Sequence, residues 1–184
     1  MLWNLPNSLT WTRIAAIPLI VLLFYMPYPW ADPAAGVLFT AAGVTDLLDG
    51  YFARRLGQIS RLGAFLDPVA DKLIVAVALV LLVSRDPRPV IVLPAAVIIG
   101  REITISALRE WMAQIGARRK VAVSRLGKYK TILQIIGLAL MLYRQPLAGL
   151  PIYRLGVMFT ELAAAATLVS MIAYLRAAWP DLKH

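Results

Sequence analysis

Cysteine is absent from this 184-residue chain, and its one histidine, His184, is the last residue. The first absence excludes a disulfide scaffold, and together they leave no soft ligand set for a zinc site. Charge is also scarce. Only 16% of residues are Asp, Glu, Lys or Arg, against about 25% in soluble domains, which excludes a disordered chain or a charged coiled coil. Acid is scarcest, with 10 Asp and Glu against 19 Lys and Arg, a net charge of +9. On a soluble protein that excess would point to nucleic acid. What is abundant is apolar, 60% of residues where soluble domains hold about 45–50%. The composition is that of an integral membrane protein, and the length suits one domain, 1–184.

A hydrocarbon core about 30 Å thick is crossed by about 20 mainly apolar helical residues. Six stretches have that character, roughly 8–26, 33–53, 63–83, 89–112, 125–143 and 152–177. Breakers separate them, among them Pro27 to Pro33, Arg85 to Pro89 and Gln145 to Pro151. The expected fold is all-α, a polytopic membrane protein of six transmembrane helices with no separate soluble domain. The first stretch has no basic n-region and is expected to be retained rather than cleaved as a signal. Cations concentrate in the links after the second and fourth stretches, with Arg54, Arg55, Arg61, Arg118, Arg119, Lys120 and Arg125. By the positive-inside rule both termini are then cytoplasmic. Pro18 and Pro94 are expected to kink their helices, and most of the five Trp to anchor at the interfaces.

Against this background four acids stand close together: Asp46, Asp49, Asp67 and Asp71. A carboxylate deep in a bilayer costs on the order of 2.5–3.5 kcal/mol on insertion scales, so four need compensation. Asp46 and Asp49 are spaced i, i+3, and Asp67 and Asp71 i, i+4, so each pair shares a helix face. The short link at 54–62 would make their helices antiparallel neighbours, so that the pairs can converge. Oxygen ligands without His or Cys suit a hard cation such as Mg²⁺, Mn²⁺ or Ca²⁺. Four carboxylates suit two ions about 3.5–4 Å apart, an arrangement that supports in-line displacement at phosphorus. Salt bridges to Arg54, Arg55 and Lys72 would explain one such Asp more readily than four. Gly50 and Gly63 each cost about 1 kcal/mol relative to Ala within a helix. Close approach of a nucleotide and small-residue helix packing both accommodate them.

Written out, the segment reads Asp46-x2-Asp49-Gly50-x2-Ala53-Arg54-x8-Gly63-x3-Asp67-x3-Asp71. It resembles at every fixed position the signature of the CDP-alcohol phosphotransferase family, D-x2-D-G-x2-A-R-x8-G-x3-D-x3-D. The likeness covers nearly the whole chain and extends to the bacterial branch that forms phosphatidylglycerol phosphate. It is carried there by Pro6-Asn7-Ser8-Leu9-Thr10 with Arg13, Leu66-Asp67-Pro68-Val69-Ala70-Asp71-Lys72, Arg101-Glu102-Ile103, Ser106 to Ala113 and Gly127-Lys128-Tyr129-Lys130-Thr131. The resemblance implies a transmembrane domain that moves the phosphatidyl group of CDP-diacylglycerol to sn-glycerol 3-phosphate, with CMP leaving. It implies that Asp46, Asp49 and Asp67 ligate metal, two Mg²⁺ ions with Mn²⁺ as the alternative. Asp71 would both touch metal and accept the hydroxyl proton. Asp49, Gly50, Ala53, Arg54 and Gly63 would lie along the CDP group.

Glycerol 3-phosphate is a dianion and needs fixed cations. Arg101, Arg109, Lys128 and Lys130 lie within or at the mouth of apolar stretches and are the candidate phosphate ligands. Arg offers a bidentate fork, Lys a point charge. Glu102 and Arg109, seven apart and nearly on one face, form either a buried pair or a clamp in which Glu102 orients Arg109. Arg118, Arg119 and Lys120 suit topology and anionic head groups. The expected setting is the bacterial inner membrane, with the active site facing the cytoplasm. The expected partners are the two substrates, membrane lipid and, as the default assembly, a homodimer, with no nucleic acid. Other acceptors (serine, inositol phosphate or phosphatidylglycerol) are the alternative within the family. A cation path is the alternative outside it, and the acids crowd one half of the membrane instead of crossing it. Lys128→Ala should raise the KM for glycerol 3-phosphate roughly tenfold, the scale of one charge-assisted contact, with a smaller change in the KM for CDP-diacylglycerol. Equal changes in steady-state assays would exclude an acceptor clamp.

Overall fold

The apolar stretches of the chain each become one helix. The computed structural model describes residues 5–56, 61–116 and 125–182, and side chains for 10–45, 63, 66–116, 129–176 and 179. Among them six helices follow in order: α1 Leu5–Tyr25, α2 Ala31–Leu56, α3 Arg61–Arg85, α4 Pro89–Gln114, α5 Arg125–Tyr143 and α6 Ile152–Leu182. Helices α1, α2 and α6 run a few residues beyond the apolar runs that predict them, because polar residues extend a helix once its apolar part is packed. Pro89 opens α4 at a position whose N–H would have no intrahelical partner. Gly116, at φ +75°, turns the chain after α4.

Helices α5 and α6 form the most extensive pair, and α1–α2, α2–α5, α4–α6 and α1–α3 complete the bundle. Among the described residues α2 and α3 touch only slightly, and α1 and α5 each pack against both. The core is aliphatic, with Ile20, Leu79, Ile98, Leu138, Met141 and Leu142 all buried. A smaller cluster joins Ile105, Leu108 and Met112 of α4 to Tyr174 of α6. The outer faces are apolar too: Leu22, Val80, Leu93, Ile103 and Val169 are each more than half exposed. Helices apolar on both inner and outer faces suit a lipid surrounding. Of the described helices, Pro89–Gln114 and Ile152–Arg176 are long and apolar enough by themselves to cross a bilayer. Trp11, Trp30 and Trp179 are exposed, whereas Trp111 packs into the α4–α6 cluster and so is not an interfacial anchor of the expected kind.

At the end of the bundle where α1 and α3 finish, charge is neutralised locally. Arg85 donates to Asp32 of α2 at 2.6 Å and to the Phe24 carbonyl of α1, and lies 3.6 Å from the Phe24 ring centroid. One side chain therefore ties three helices. In the α3–α4 link Arg88 grips both Asp86 oxygens at 2.7 Å, and the Tyr153 hydroxyl donates to the same carboxylate. The hydrogen-bonded Arg88 guanidinium holds the Asp86 carboxyl well below the usual carboxylate range, so this ion pair persists into acid.

Glycine sets the α5–α6 distance. A Cβ on Gly137 would lie 2.5 Å from Thr160 Oγ1 and 2.9 Å from its backbone nitrogen, and one on Gly156 would lie 2.7 Å from the Gly137 carbonyl oxygen. The two glycines face each other, which lets the backbones meet. Gly100 of α4 has nothing within 4 Å of such a Cβ. Gly156→Ala should therefore cost about 1–3 kcal/mol by overpacking, while Gly100→Ala should be neutral or stabilising by up to about 1 kcal/mol. Unfolding of the purified protein in detergent distinguishes them, and equal effects would contradict the close packing.

Candidate active site

The polar end of the bundle is organised by α1. Arg13, 1% exposed, pairs its guanidinium with the carboxylate of Asp71 on α3. One turn earlier on α1, the Thr10 hydroxyl donates to Asp67. The i, i+3 pair on α1 thus meets the i, i+4 pair on α3, and both carboxylates are oriented by donors from one neighbouring helix.

Beside Asp71 opens a cavity of about 250 Å³ to which all six helices contribute. Its charged lining is unequal: Arg13, Lys72, Arg101, Arg109 and Lys130 against Asp71 and Glu102. Arg101 is 7% exposed and Lys130 3%, so this positive charge is largely withdrawn from water. Arg101 lies 2.5 Å and Lys130 Nζ 3.7 Å from the same oxygen, Oε1 of Glu102. Arg109 reaches the Tyr174 hydroxyl at 3.5 Å. The Nε atoms of Arg101 and Arg109 are buried and have no hydrogen-bond partner among the described residues. Lys72 donates to Ser106 Oγ at 2.6 Å, bridging α3 to α4 at the rim. Burying several cations with few counter-charges is costly unless an anion completes the set. The cavity is built for an anion.

Of the residues singled out from sequence, Asp71, Arg101, Arg109 and Lys130 meet around this cavity. Asp67 sits one turn from Asp71 on the same helix face, held by Thr10, and Gly63 is buried one turn further back. Asp46, Asp49, Gly50, Ala53 and Arg54 fall on the last turns of α2, and Lys128 on the first turn of α5; their side chains lie outside the described residues. Arg118, Arg119 and Lys120 lie outside them altogether. The buried Glu102–Arg109 pair is not formed: Glu102 turns to Arg101 and Lys130 instead. Among the described residues Lys72 donates to Ser106 and not to Asp67 or Asp71. Sequence reasoning assigned no role to Gln134 or Tyr174, and quoted Thr10 and Arg13 only among the residues that carry the family likeness. Arg13 had a signal, since a lone charge in an apolar helix marks either a partner or a function. Tyr174 and Gln134 had none.

Among the described side chains no three of His, Cys, Asp and Glu come together, two of the four signature acids being outside that set. The described pair fits a metal by its chemistry. Asp67 and Asp71 offer only carboxylate oxygens, suited to a hard divalent cation, and donors from α1 hold both in place, as outer partners of metal ligands do.

The profile of CDP-alcohol phosphatidyltransferases matches residues 3–175. The chain belongs to the CDP-alcohol phosphatidyltransferase family. That family is polytopic in the membrane and generally metal-dependent. Similar proteins include one from Pseudomonas fluorescens, 51% identical over 181 residues, which are 98% of this chain and 92% of that protein. Others come from Shigella flexneri serotype 5b and Escherichia coli K12, each 48% identical over 182 residues, 99% of this chain and 98% of theirs. All three are CDP-diacylglycerol–glycerol-3-phosphate 3-phosphatidyltransferases.

Proposed function

We propose that this chain transfers the phosphatidyl group of CDP-diacylglycerol to sn-glycerol 3-phosphate, giving phosphatidylglycerol phosphate and CMP. The observation that carries the reading is the cavity that sets Asp71 beside Arg101, Arg109 and Lys130. It puts a carboxylate next to a receptor for a phosphate dianion. Relatives of about 50% identity that bear this activity in their names support the same acceptor.

In this reading Arg101, Arg109, Lys130 and Lys128 bind the acceptor phosphate. That leaves the acceptor hydroxyl directed at Asp71. The hydroxyl oxygen attacks the lipid-bearing phosphorus, the bond from that phosphorus to the bridging oxygen breaks, and CMP leaves with the electron pair. Asp71 takes the hydroxyl proton, and Arg13 holds its carboxylate in line. Asp49, Gly50, Ala53, Arg54 and Gly63 line the CDP group, small residues making room and Arg54 meeting a phosphate. Asp46, Asp49, Asp67 and Asp71 would hold two Mg²⁺ ions, or Mn²⁺, which when bound screen the pyrophosphate charge. The six helices span the bacterial inner membrane as one domain, 1–184, with both termini and the cavity on the cytoplasmic side. The assembly is a homodimer among lipids.

Purified protein given CDP-diacylglycerol, Mg²⁺ and single acceptors should release CMP with glycerol 3-phosphate. Release with serine or inositol phosphate in its place would overturn the acceptor. Asp71→Asn should lower kcat by at least ~100-fold, the scale of a general base, with CDP-diacylglycerol binding largely kept. Turnover near wild type would remove Asp71 from the proton transfer.

A further inference from the structure

Tyr174 lies on α6, outside the signature and outside the acidic and basic runs, yet its ring reaches the charged cavity. The Arg109 guanidinium carbon is 5.5 Å from the ring centroid and that of Arg101 is 5.9 Å. Both fall within the range of cation–π attraction. The two arginines are eight residues apart on α4, about 12 Å along the helix axis at 1.5 Å per residue. Only side chains that bend toward each other bring both charges to one ring.

The ring cannot yield to them. Tyr174 is 6% exposed and packs among Ile105, Leu108 and Met112 of α4, with Met171 and Leu175 of its own helix beside it. What it offers the arginines differs from what a carboxylate would offer. An aromatic face attracts a cation without consuming its N–H donors, whereas a carboxylate takes two of them and cancels the charge. Arg109 makes no ion pair among the described residues, and Nε of both arginines is without a hydrogen-bond partner. Arg101 already spends one donor on Glu102 and Arg109 one on the Tyr174 hydroxyl, and the ring gathers both charges while leaving their remaining donors available to a ligand.

We propose that Tyr174 is the positioning residue that makes Arg101 and Arg109 a paired anion receptor, and so sets the preference of the site for an alcohol bearing a phosphomonoester over an uncharged alcohol. The proposal rests on the acceptor reading given above. Without the ring, like-charge repulsion separates the two guanidinium groups: Arg101 stays on Glu102, its partner already, and Arg109 moves away from it. A dianion then loses one of its two contacts, while the donor side of the site, on α2 and α3, is untouched.

The test compares wild type with Tyr174→Phe, which keeps the ring, and with Tyr174→Leu and Tyr174→Met, which keep apolar filling without it. Each is assayed for both KM values and kcat, and titrated with glycerol 3-phosphate by calorimetry, with inorganic phosphate as competitor. Tyr174→Phe should stay within about twofold of wild type. The ringless variants should raise the acceptor KM and Kd roughly tenfold, the combined scale of two desolvated cation–π contacts. Their CDP-diacylglycerol KM, their kcat at saturating acceptor and their unfolding temperature should change little. Loss by Tyr174→Phe equal to that of the ringless variants would overturn the proposal. So would a parallel rise in both KM values, or a fall in kcat at unchanged acceptor KM. Wild-type turnover with glycerol 3-phosphate alongside an unchanged acceptor Kd in the ringless variants refutes the role of Tyr174 alone. No CMP release from wild type with this acceptor refutes the assigned reaction, and Tyr174 with it.

Discussion

A guanidinium enclosed by apolar helices needs a counter-charge, and Arg13 finds one in Asp71. Removing Asp71 would take from the buried Arg13 the carboxylate it pairs with, and breaking such a pair typically costs several kcal/mol. The pair therefore fixes how α1 and α3 meet, and the Thr10–Asp67 contact one turn away fixes their rotation. Because α2 and α3 scarcely touch among the described residues, the position of α3 relative to α2 depends on the helices that pack against both, α1 and α5. The placement of the acids follows from a cation on a helix that carries none of the acidic signature.

Charge is treated in opposite ways at the two ends of the bundle. Where α1 and α3 finish, each arginine of the α3–α4 region has its own carboxylate: Arg85 has Asp32, and Arg88 has Asp86. Those pairs are complete, and they clasp helices. Around the cavity five cations share two carboxylates, and Glu102 alone serves both Arg101 and Lys130. The same residue types hold the fold where they are matched, and where they are not they would suit an anion, as the proposed reaction requires.

The helices were legible because each carries a long, mainly apolar run, and breakers such as Pro89 and Gly116 stand at their ends. The face shared by Asp67 and Asp71 was legible from spacing alone. Spacing failed where partners come from different helices. Seven residues place Glu102 and Arg109 on nearly one face, but Lys130 of α5 and the adjacent Arg101 reach Glu102 first, and no local rule weighs a competitor more than twenty residues away in the chain. Gly137 and Gly156 carry the α5–α6 contact, yet in sequence they are two small residues among many. Tyr174 is the extreme case, an aromatic residue in an apolar run whose role exists only once α6 lies against α4.

The cavity also bears on why two anionic substrates can meet at all. On the proposed reaction a phosphate dianion has to approach an already negative pyrophosphate, and repulsion at a separation of a few ångströms in a low-dielectric site would dominate the encounter. On that reading the signature acids stand on α2 and α3 and the acceptor's cations, Arg101, Arg109 and Lys130, on α4 and α5, which separates the two problems. The acidic side would suit cations that screen the donor, and the basic side would neutralise the acceptor directly. Asp71 stands at the boundary, paired with Arg13 on one side and open to the cavity on the other, its side chain 42% exposed. A proton acceptor has to be at that boundary, because the hydroxyl to be deprotonated belongs to the acceptor and the phosphorus it attacks belongs to the donor. Moving the carboxylate one turn along α3 would displace it by about 5.4 Å, more than the reach of a hydrogen bond, and would leave it serving one substrate only.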